Sequence, residues 1–306
     1  MRGWDFLHDD LIMEIALLIE DEKEYKGAQI CNYTFEWGSN NNGIKKSYEM
    51  LDKYKNCSID YLYFGCEFCE YKIPTIDEFS RIIKLCIRDE LKLVMVTPVV
   101  TDLGLNRTSD LIKFIIENDV DADIVVNDVG VLQLIKNSLF RGKVILGRIF
   151  DKTSHDSRST EEGFDKYYGD NGKKIAMSPG VISEPALSVY RKFDVDRFEF
   201  DLPKIGIYLP DNFNFSLYYP YNYLTTGRVC MLRSVYCDGR DKFLVGNSQC
   251  AKACMKYNIE KRKPINGGGF GDASELFLFQ KGNTIFYVDE GISIPQDKIN
   301  RLIIQL

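Results

Sequence analysis

The sequence predicts an α/β fold, a TIM-like barrel of βα units with a cysteine-rich segment and a small C-terminal extension. Three observations predict it. From about residue 27, short apolar runs alternate with segments of helical period, the pattern of βα units that feed a parallel sheet. The chain has 306 residues and is 45% hydrophobic, enough to bury the core of one large domain. Cys237, Cys250 and Cys254 fall in polar, glycine-containing chain rather than in apolar strands. We therefore expect residues 1–257 to form the barrel, including these cysteines, and residues 258–306 to form an extension with a β-hairpin.

Taken in order, DFLHDDLIMEIALLIEDE predicts a helix that caps the barrel before its first strand. Strand and helix then alternate: GAQICNYTF with GIKKSYEMLDKY, SIDYLYFG with TIDEFSRIIKLCIRDE, KLVMVTPVV with TSDLIKFIIEN, and ADIVVND with VGVLQLIKNS, followed by the strand KVILGRIF. Asp77, after Thr75-Ile76, and Ser109-Asp110 are the expected helix starts. The charged stretch from Asp151 to Gly180 breaks the period and reads as a surface excursion. SEPALSVYRKF resumes as helix, RFEFDLP and FNFSLYYPYNYLTTGRVC as strands. ELFLFQKGNTIFYVDE predicts a hairpin about Lys281-Gly282-Asn283, and DKINRLIIQL ends the chain as a short amphipathic segment.

Composition excludes several functions. A net charge of -6 and a pI near 5.2 argue against a broad nucleic-acid footprint. The chain shows no run of roughly 18 apolar residues, and Asp5, Asp9 and Asp10 are unlike the basic start of a signal peptide, so we expect a cytoplasmic protein away from membranes. There nine cysteines point to metal or redox chemistry rather than to disulfides. His8 and His155 are the only histidines, which leaves little for imidazole-based catalysis.

From Cys230 to Cys254 the spacing is C-x6-C-x12-C-x3-C, with Cys66 and Cys69 far upstream. Thiolate sulfur is a soft donor that both iron–sulfur clusters and tetrahedral zinc select. Zinc ribbons usually present two close pairs, whereas Cys237 stands alone and Cys250 and Cys254 are three residues apart, a spacing that leans toward a cluster. Cys69 follows the strand ending near Gly65, and Cys237 follows the strand leading into Gly227-Arg228. A parallel barrel brings such loops to one mouth, which would collect Cys69, Cys237, Cys250 and Cys254 into one cage. Cys31, Cys57 and Cys86 read as ordinary buried thiols.

Asn127, Asp128, Arg148, Glu199 and Arg228 all end strands and are expected near the mouth. Arg148 and Arg228 suit a carboxylate-bearing ligand because a guanidinium fork matches that geometry; the alternative is a barrel-end ion pair with Asp128 or Glu199. The run Asn266 to Asp272 fits neither the Walker nor the Rossmann pattern and reads as a loop. Lys261-Arg262-Lys263 reads as a solvated face, and Tyr218, Tyr219, Tyr221 and Tyr223 as alternating strand residues.

Several of these spacings recur together in a known family. Tyr63-Phe64-Gly65 is followed four residues later by Cys69, Gly227-Arg228 precedes Cys237 by nine, the x12 and x3 intervals lead on to Cys250 and Cys254, and Asn127-Asp128-Val129-Gly130 is trailed by Leu132-Gln133-Leu134. On these residues, across most of positions 27 to 257, the chain resembles the peptidase family U32, most closely its UbiV branch of oxygen-independent ubiquinone hydroxylation proteins. Cys66 and Cys230 have no counterpart in that branch, although Cys230 with Cys237 matches the x6 pair of other members; either is an alternative to Cys69 as a ligand. The resemblance implies a [4Fe–4S] cluster on Cys69, Cys237, Cys250 and Cys254. It also implies hydroxylation of a quinone precursor or a nucleobase without dioxygen, with prephenate as oxygen donor. Asp128, Arg148 and Arg228 are the expected catalytic residues. A second U32 subunit is the implied partner, and the chain would then be either the redox enzyme or a non-catalytic cluster-bearing subunit; a zinc-stabilised binding module is the remaining alternative. Nothing in the chain supports proteolysis, since it lacks a Ser-His, zinc-His or paired-Asp signature.

Overall fold

Alternating side-chain direction along strands buried on both faces divides this chain into a barrel lumen and an outer shell. The computed structural model describes residues 13–29, 58–151, 153, 161–203, 205–234, 250–261, 277–288, 294–295 and 297–306. Strands run β1 Glu14–Ile19, β2 Tyr61–Gly65, β3 Lys92–Val96, β4 Ala122–Val126, β5 Val144–Leu146, β6 Val195–Phe200 and β7 Asn214–Tyr219. They continue as β8 Asn222–Thr226, β9 Ile259–Lys261, β10 Phe277–Lys281, β11 Thr284–Val288 and β12 Arg301–Gln305. β1 to β7 and β12 close into a barrel of eight parallel strands, with β12 between β7 and β1. β8 to β11 form a separate antiparallel sheet in the order β8-β11-β10-β9.

Helices α1 Glu22–Gln29, α2 Ile76–Arg88, α3 Asp102–Glu117, α4 Val129–Lys136, α5 Glu161–Met177 and α6 Glu184–Tyr190 follow barrel strands, and the short α7 Met231–Ser234 follows β8. Thr75 starts α2 with a capping box, accepting from the Glu78 amide while the Glu78 carboxylate accepts from its own. The period of two in each strand separates the sides. Ile15, Leu17, Leu62 and Phe64 pack outward among helices such as α2 with Phe79 and Ile82, whereas Ala16, Tyr61, Tyr63, Val94, Val125, Ile145, Tyr218 and Ile303 fill the lumen.

Gly65 is the sharp point in this arrangement. Its φ of +133° is open to glycine alone, and a Cβ there would meet the Val96 carbonyl oxygen at 2.3 Å. The chain can therefore leave β2 and turn across the barrel end into Cys66 to Cys69.

The structure departs from the sequence reading at both termini of the barrel. Residues 14–19, expected as helix, are its first strand, and Gly27 to Gln29 of the expected first strand belong to α1; the rest of that strand and the helix expected after it lie outside the described residues. A six-residue apolar run such as EIALLI has no periodicity that distinguishes a buried strand from a buried helix. The expected boundary after residue 257 does not divide the molecule, because β12 of the terminal segment hydrogen-bonds to both β1 and β7 and completes the barrel. The excursion after Asp151 contains α5, broken by a left-handed Gly169 at φ 59°. Helix α3 begins at Asp102 rather than at Ser109-Asp110. The hairpin about Lys281-Gly282-Asn283 is present, joining β10 to β11 with Gly282 at φ +64°. Among the described residues no helix is long and apolar enough to cross a membrane.

Candidate functional site

The carboxyl ends of the barrel strands open under the small sheet. An aromatic cluster joins them: Phe68, on the loop after β2, lies 5.2 Å from Tyr223 and 5.6 Å from Phe286 by ring centroids, and Tyr221 lies 5.3 Å from Phe279. The Asn283 amide fastens the hairpin to that loop, donating to the carbonyls of Phe68 and Gly227 at 2.6 Å each. Beneath the sheet is a cavity of about 130 Å³, lined by Glu20, Glu67, Phe68, Arg148, Tyr221 and Phe279 among others.

Arg148 fills the barrel end. It is fully buried, donates from Nε and Nη2 to Glu67 at 2.9 and 2.6 Å, and from Nη1 to Asp201 at 2.5 Å and the Tyr221 carbonyl at 2.8 Å. Its guanidinium lies 3.9 Å from the Tyr218 ring centroid. Expected as a binder of a ligand carboxylate, Arg148 is instead ion-paired inside the protein, with Glu67 and Asp201 as partners rather than Asp128 or Glu199. A buried guanidinium requires such pairing, since desolvation of an unpaired charge costs several kcal/mol. Burial pushes the Asp201 carboxyl up to about 6, with Arg148 opposing the rise.

Glu199 lies deeper in the lumen, accepting from the hydroxyls of Tyr63 at 2.9 Å and Tyr218 at 2.6 Å. Burial pushes its carboxyl up to about 7, against those two hydrogen bonds. Below it Arg301 donates to Tyr63 at 2.8 Å, stacks on Tyr61 with 3.4 Å to the centroid, and pairs with Glu14.

Asp128, expected as catalytic, makes hydrogen bonds to the backbone here. Its carboxylate caps α4, accepting from the Gly130 amide at 2.7 Å, and accepts from the Val100 amide at 3.2 Å. Asn127 ties β4 to the end of β3 by donating to the Thr97 carbonyl at 2.9 Å. Arg228 is exposed, carries no ion pair among the described residues, and lines a second cavity of about 230 Å³ with Cys69, Tyr71, Thr101, Ile149 and Asn283. Of the three expected catalytic residues, Arg228 lines a cavity with Cys69, and Arg148, held in its ion pairs, lines the other with Cys66 and Cys254.

The cysteines gather at this same mouth. Cys69, after β2, and Cys250 and Cys254, before β9, are close enough to act on one another: burial pushes the Cys69 thiol up to about 11, the Tyr71 amide and the Lys72 ammonium oppose it, and Cys254 and Cys250 add to the rise. Cys254 is likewise raised by burial and also senses Cys230. A Cβ on Gly282 would lie 3.6 Å from the Cys254 sulfur, so the hairpin turn closes over it. Lys72 reaches into this group from below, paired at 2.7 Å with Glu20, which Lys281 also contacts at 3.1 Å. Cys66 is buried and lines the first cavity with Glu20, while Cys86 sits in the outer shell, pushed up to about 12 by burial. Cys237 lies outside the described residues, as do Cys31, Cys57 and both histidines. Among the described residues no three His, Cys, Asp or Glu side chains stand close enough to hold a metal ion. The thiols brought together suit a soft metal or a cluster in donor type, and the fourth expected ligand belongs to the segment between Ser234 and Cys250.

Sequence reasoning passed over Glu67, Asp201, Glu20, Lys72 and Lys281. The signal for one of them was present: in RFEFD, Arg197, Glu199 and Asp201 alternate with Phe198 and Phe200, which places three charged residues on the lumen face of β6 and its extension.

No protein-family model matches the chain, and no curated protein is similar to it. A solved structure described as the U32 peptidase Mk0906 is similar in outline, with a TM-score of 0.42 and 7% sequence identity over 99% of this chain and 96% of that one. A likeness of that size carries no argument about chemistry.

Proposed function

We propose that the chain is an iron–sulfur protein of the U32 type, holding a [4Fe–4S] cluster on Cys69, Cys237, Cys250 and Cys254 at the barrel mouth. Its activity in this reading is oxygen-independent hydroxylation, or related redox chemistry, of an aromatic small molecule or nucleobase in the cytoplasm, with or without a second U32 subunit as in the UbiV branch. The observation that supports it is that one hairpin turn meets both cysteine segments: Asn283 donates to the carbonyl of Phe68, the neighbour of Cys69, and Gly282 lies against Cys254, at the end of the barrel where parallel barrels build their sites.

A bound cluster supplies one-electron chemistry. The chain's own residues do the rest. Lys72 sets a buried positive charge beside Cys254 and Cys66, which favours anionic sulfur. Phe68, Tyr221, Phe279 and Phe286 give the cavity aromatic walls for a planar ring. The small sheet lines that cavity through Phe279, Lys281 and Phe286. Arg228, beside Cys69 and without a carboxylate partner among the described residues, is the group suited to a carboxylate-bearing co-substrate such as prephenate.

The test is purification without oxygen, followed by a visible spectrum and iron, sulfide and zinc analysis. A brown protein with iron and acid-labile sulfide supports the reading. A colourless protein with one zinc sinks the redox reading and leaves a zinc-stabilised module. Activity that appears only on mixing with a second U32 protein would mark the chain as a partner subunit.

A further inference from the structure

The two cavities at the barrel mouth have one lining residue in common among the described residues, Phe68. The inner cavity, of about 130 Å³, is lined by Gly65 to Phe68 of the loop after β2. The outer one, of about 230 Å³, is lined by Phe68 to Tyr71 together with Val99, Ile149 and Arg228. Cys66 and Cys254 thus belong to the inner chamber and Cys69 to the outer.

Phe68 is held as a wall between them. Its ring packs on Tyr223 and Phe286, with centroids 5.2 and 5.6 Å away, and the Arg148 guanidinium lies 5.3 Å from its centre. Its carbonyl accepts from the Asn283 amide at 2.6 Å. The loop is tied down on either side. Glu67 is paired with Arg148, and Glu70 accepts from the Thr101 amide and hydroxyl at 2.7 and 2.8 Å. Gly104 leaves room for that carboxylate, since a Cβ there would stand 2.6 Å from it.

The inner volume sets a limit on what can enter. An apolar cavity of about 150 Å³ takes one benzene ring, and the inner chamber, at about 130 Å³, has Leu18, Phe68, Tyr221, Phe279 and Phe286 among its walls. Lys281 and Glu20, paired at 3.1 Å, also line it and offer a ring hydroxyl a donor and an acceptor.

We propose that Phe68 is a specificity-determining residue of the mouth: its ring closes the inner chamber to the size of one six-membered aromatic ring bearing a hydroxyl, and keeps that ring apart from a ligand held at Arg228. A fused bicycle, a purine included, enters only if Phe68 gives way. The inference rests on the proposed function only in taking the inner chamber as the place of the substrate.

Calorimetric titration of the full chain, purified without oxygen, with phenol and with 2-naphthol tests this. Apolar burial alone favours 2-naphthol, the larger ring system. The wild type is expected to reverse that order and bind phenol about tenfold more tightly, the scale of the penalty for overpacking a site. Phe68→Ala joins the chambers and should bind 2-naphthol at least as tightly as phenol, with Phe68→Leu falling between. A wild type that does not bind phenol, or binds 2-naphthol as tightly, overturns the proposal, as does a preference that Phe68→Ala leaves unchanged. Should Phe68→Ala fail to fold, Phe68→Leu decides by whether the preference narrows. Iron content read on the same samples keeps the two readings apart. A colourless protein that prefers phenol loses the cluster and keeps this inference, and a brown one that prefers 2-naphthol does the reverse.

Discussion

Arg148 and Glu67 meet as a two-pronged ion pair, at 2.9 and 2.6 Å, with 1% and 2% of their side chains exposed. Glu67 comes from the loop that carries Cys69, and Arg148 from the end of β5. The pair therefore locks the cysteine loop to the far side of the barrel. Arg148→Met should destabilise the chain by about 3–5 kcal/mol, because it leaves Glu67 and Asp201 buried without a cation. Urea unfolding measures it. A loss below about 1 kcal/mol, the scale of a surface pair, would contradict the locking role.

Glu199 makes stability depend on pH with a definite sign. Its folded value of about 7 lies above the reference 4.5, so the folded state binds more protons than the unfolded state between the two. Stability contributed by this group is full below the reference value and falls as pH rises through the folded one. Glu199→Gln should flatten that slope and narrow its deficit, or gain on the wild type, by up to about 3 kcal/mol above neutrality. Unfolding curves of both proteins across pH check it.

Glu20 behaves in the opposite sense. Burial alone would raise its carboxyl, but Lys281 and Lys72 hold it well below the usual range. Its contribution is present above the unfolded value and is lost as pH falls through the folded one. Glu20→Gln leaves the buried Lys72 and the half-buried Lys281 without their shared partner and should cost about 3 kcal/mol near neutrality, a difference from wild type that shrinks in strong acid. A difference constant with pH would contradict the pairing.

Gly65→Ala should cost more than about 1–3 kcal/mol, the price of a strained backbone alone, since the new methyl also meets the Val96 carbonyl. Thermal unfolding reads the loss. The same variant should disturb the cysteine loop, lowering iron content more than a core substitution of equal destabilisation.

From β2 to α4 the βα units were legible because each strand is a bounded apolar run and each helix has a clear apolar face, as in TIDEFSRIIKLC with Phe79, Ile82 and Cys86 inward. The barrel's closure was not. EIALLI and RLIIQ are short apolar runs at the ends of the chain, and only their pairing with each other, Glu14 opposite Arg301, reveals them as neighbouring strands. The position of Cys69 on a loop after β2 was legible from Gly65. The partners of Arg148 were not, since a contact between Glu67 and Arg148 leaves no trace in spacing; Glu67 was visible only as one letter between two cysteines.

The most direct measurement is iron and sulfide per chain after oxygen-free purification, in the wild type, Cys69→Ala and Cys86→Ala. A cluster at the mouth predicts about four irons per chain in the wild type and in Cys86→Ala, and their loss in Cys69→Ala. Equal iron in all three, or none in the wild type, would contradict it.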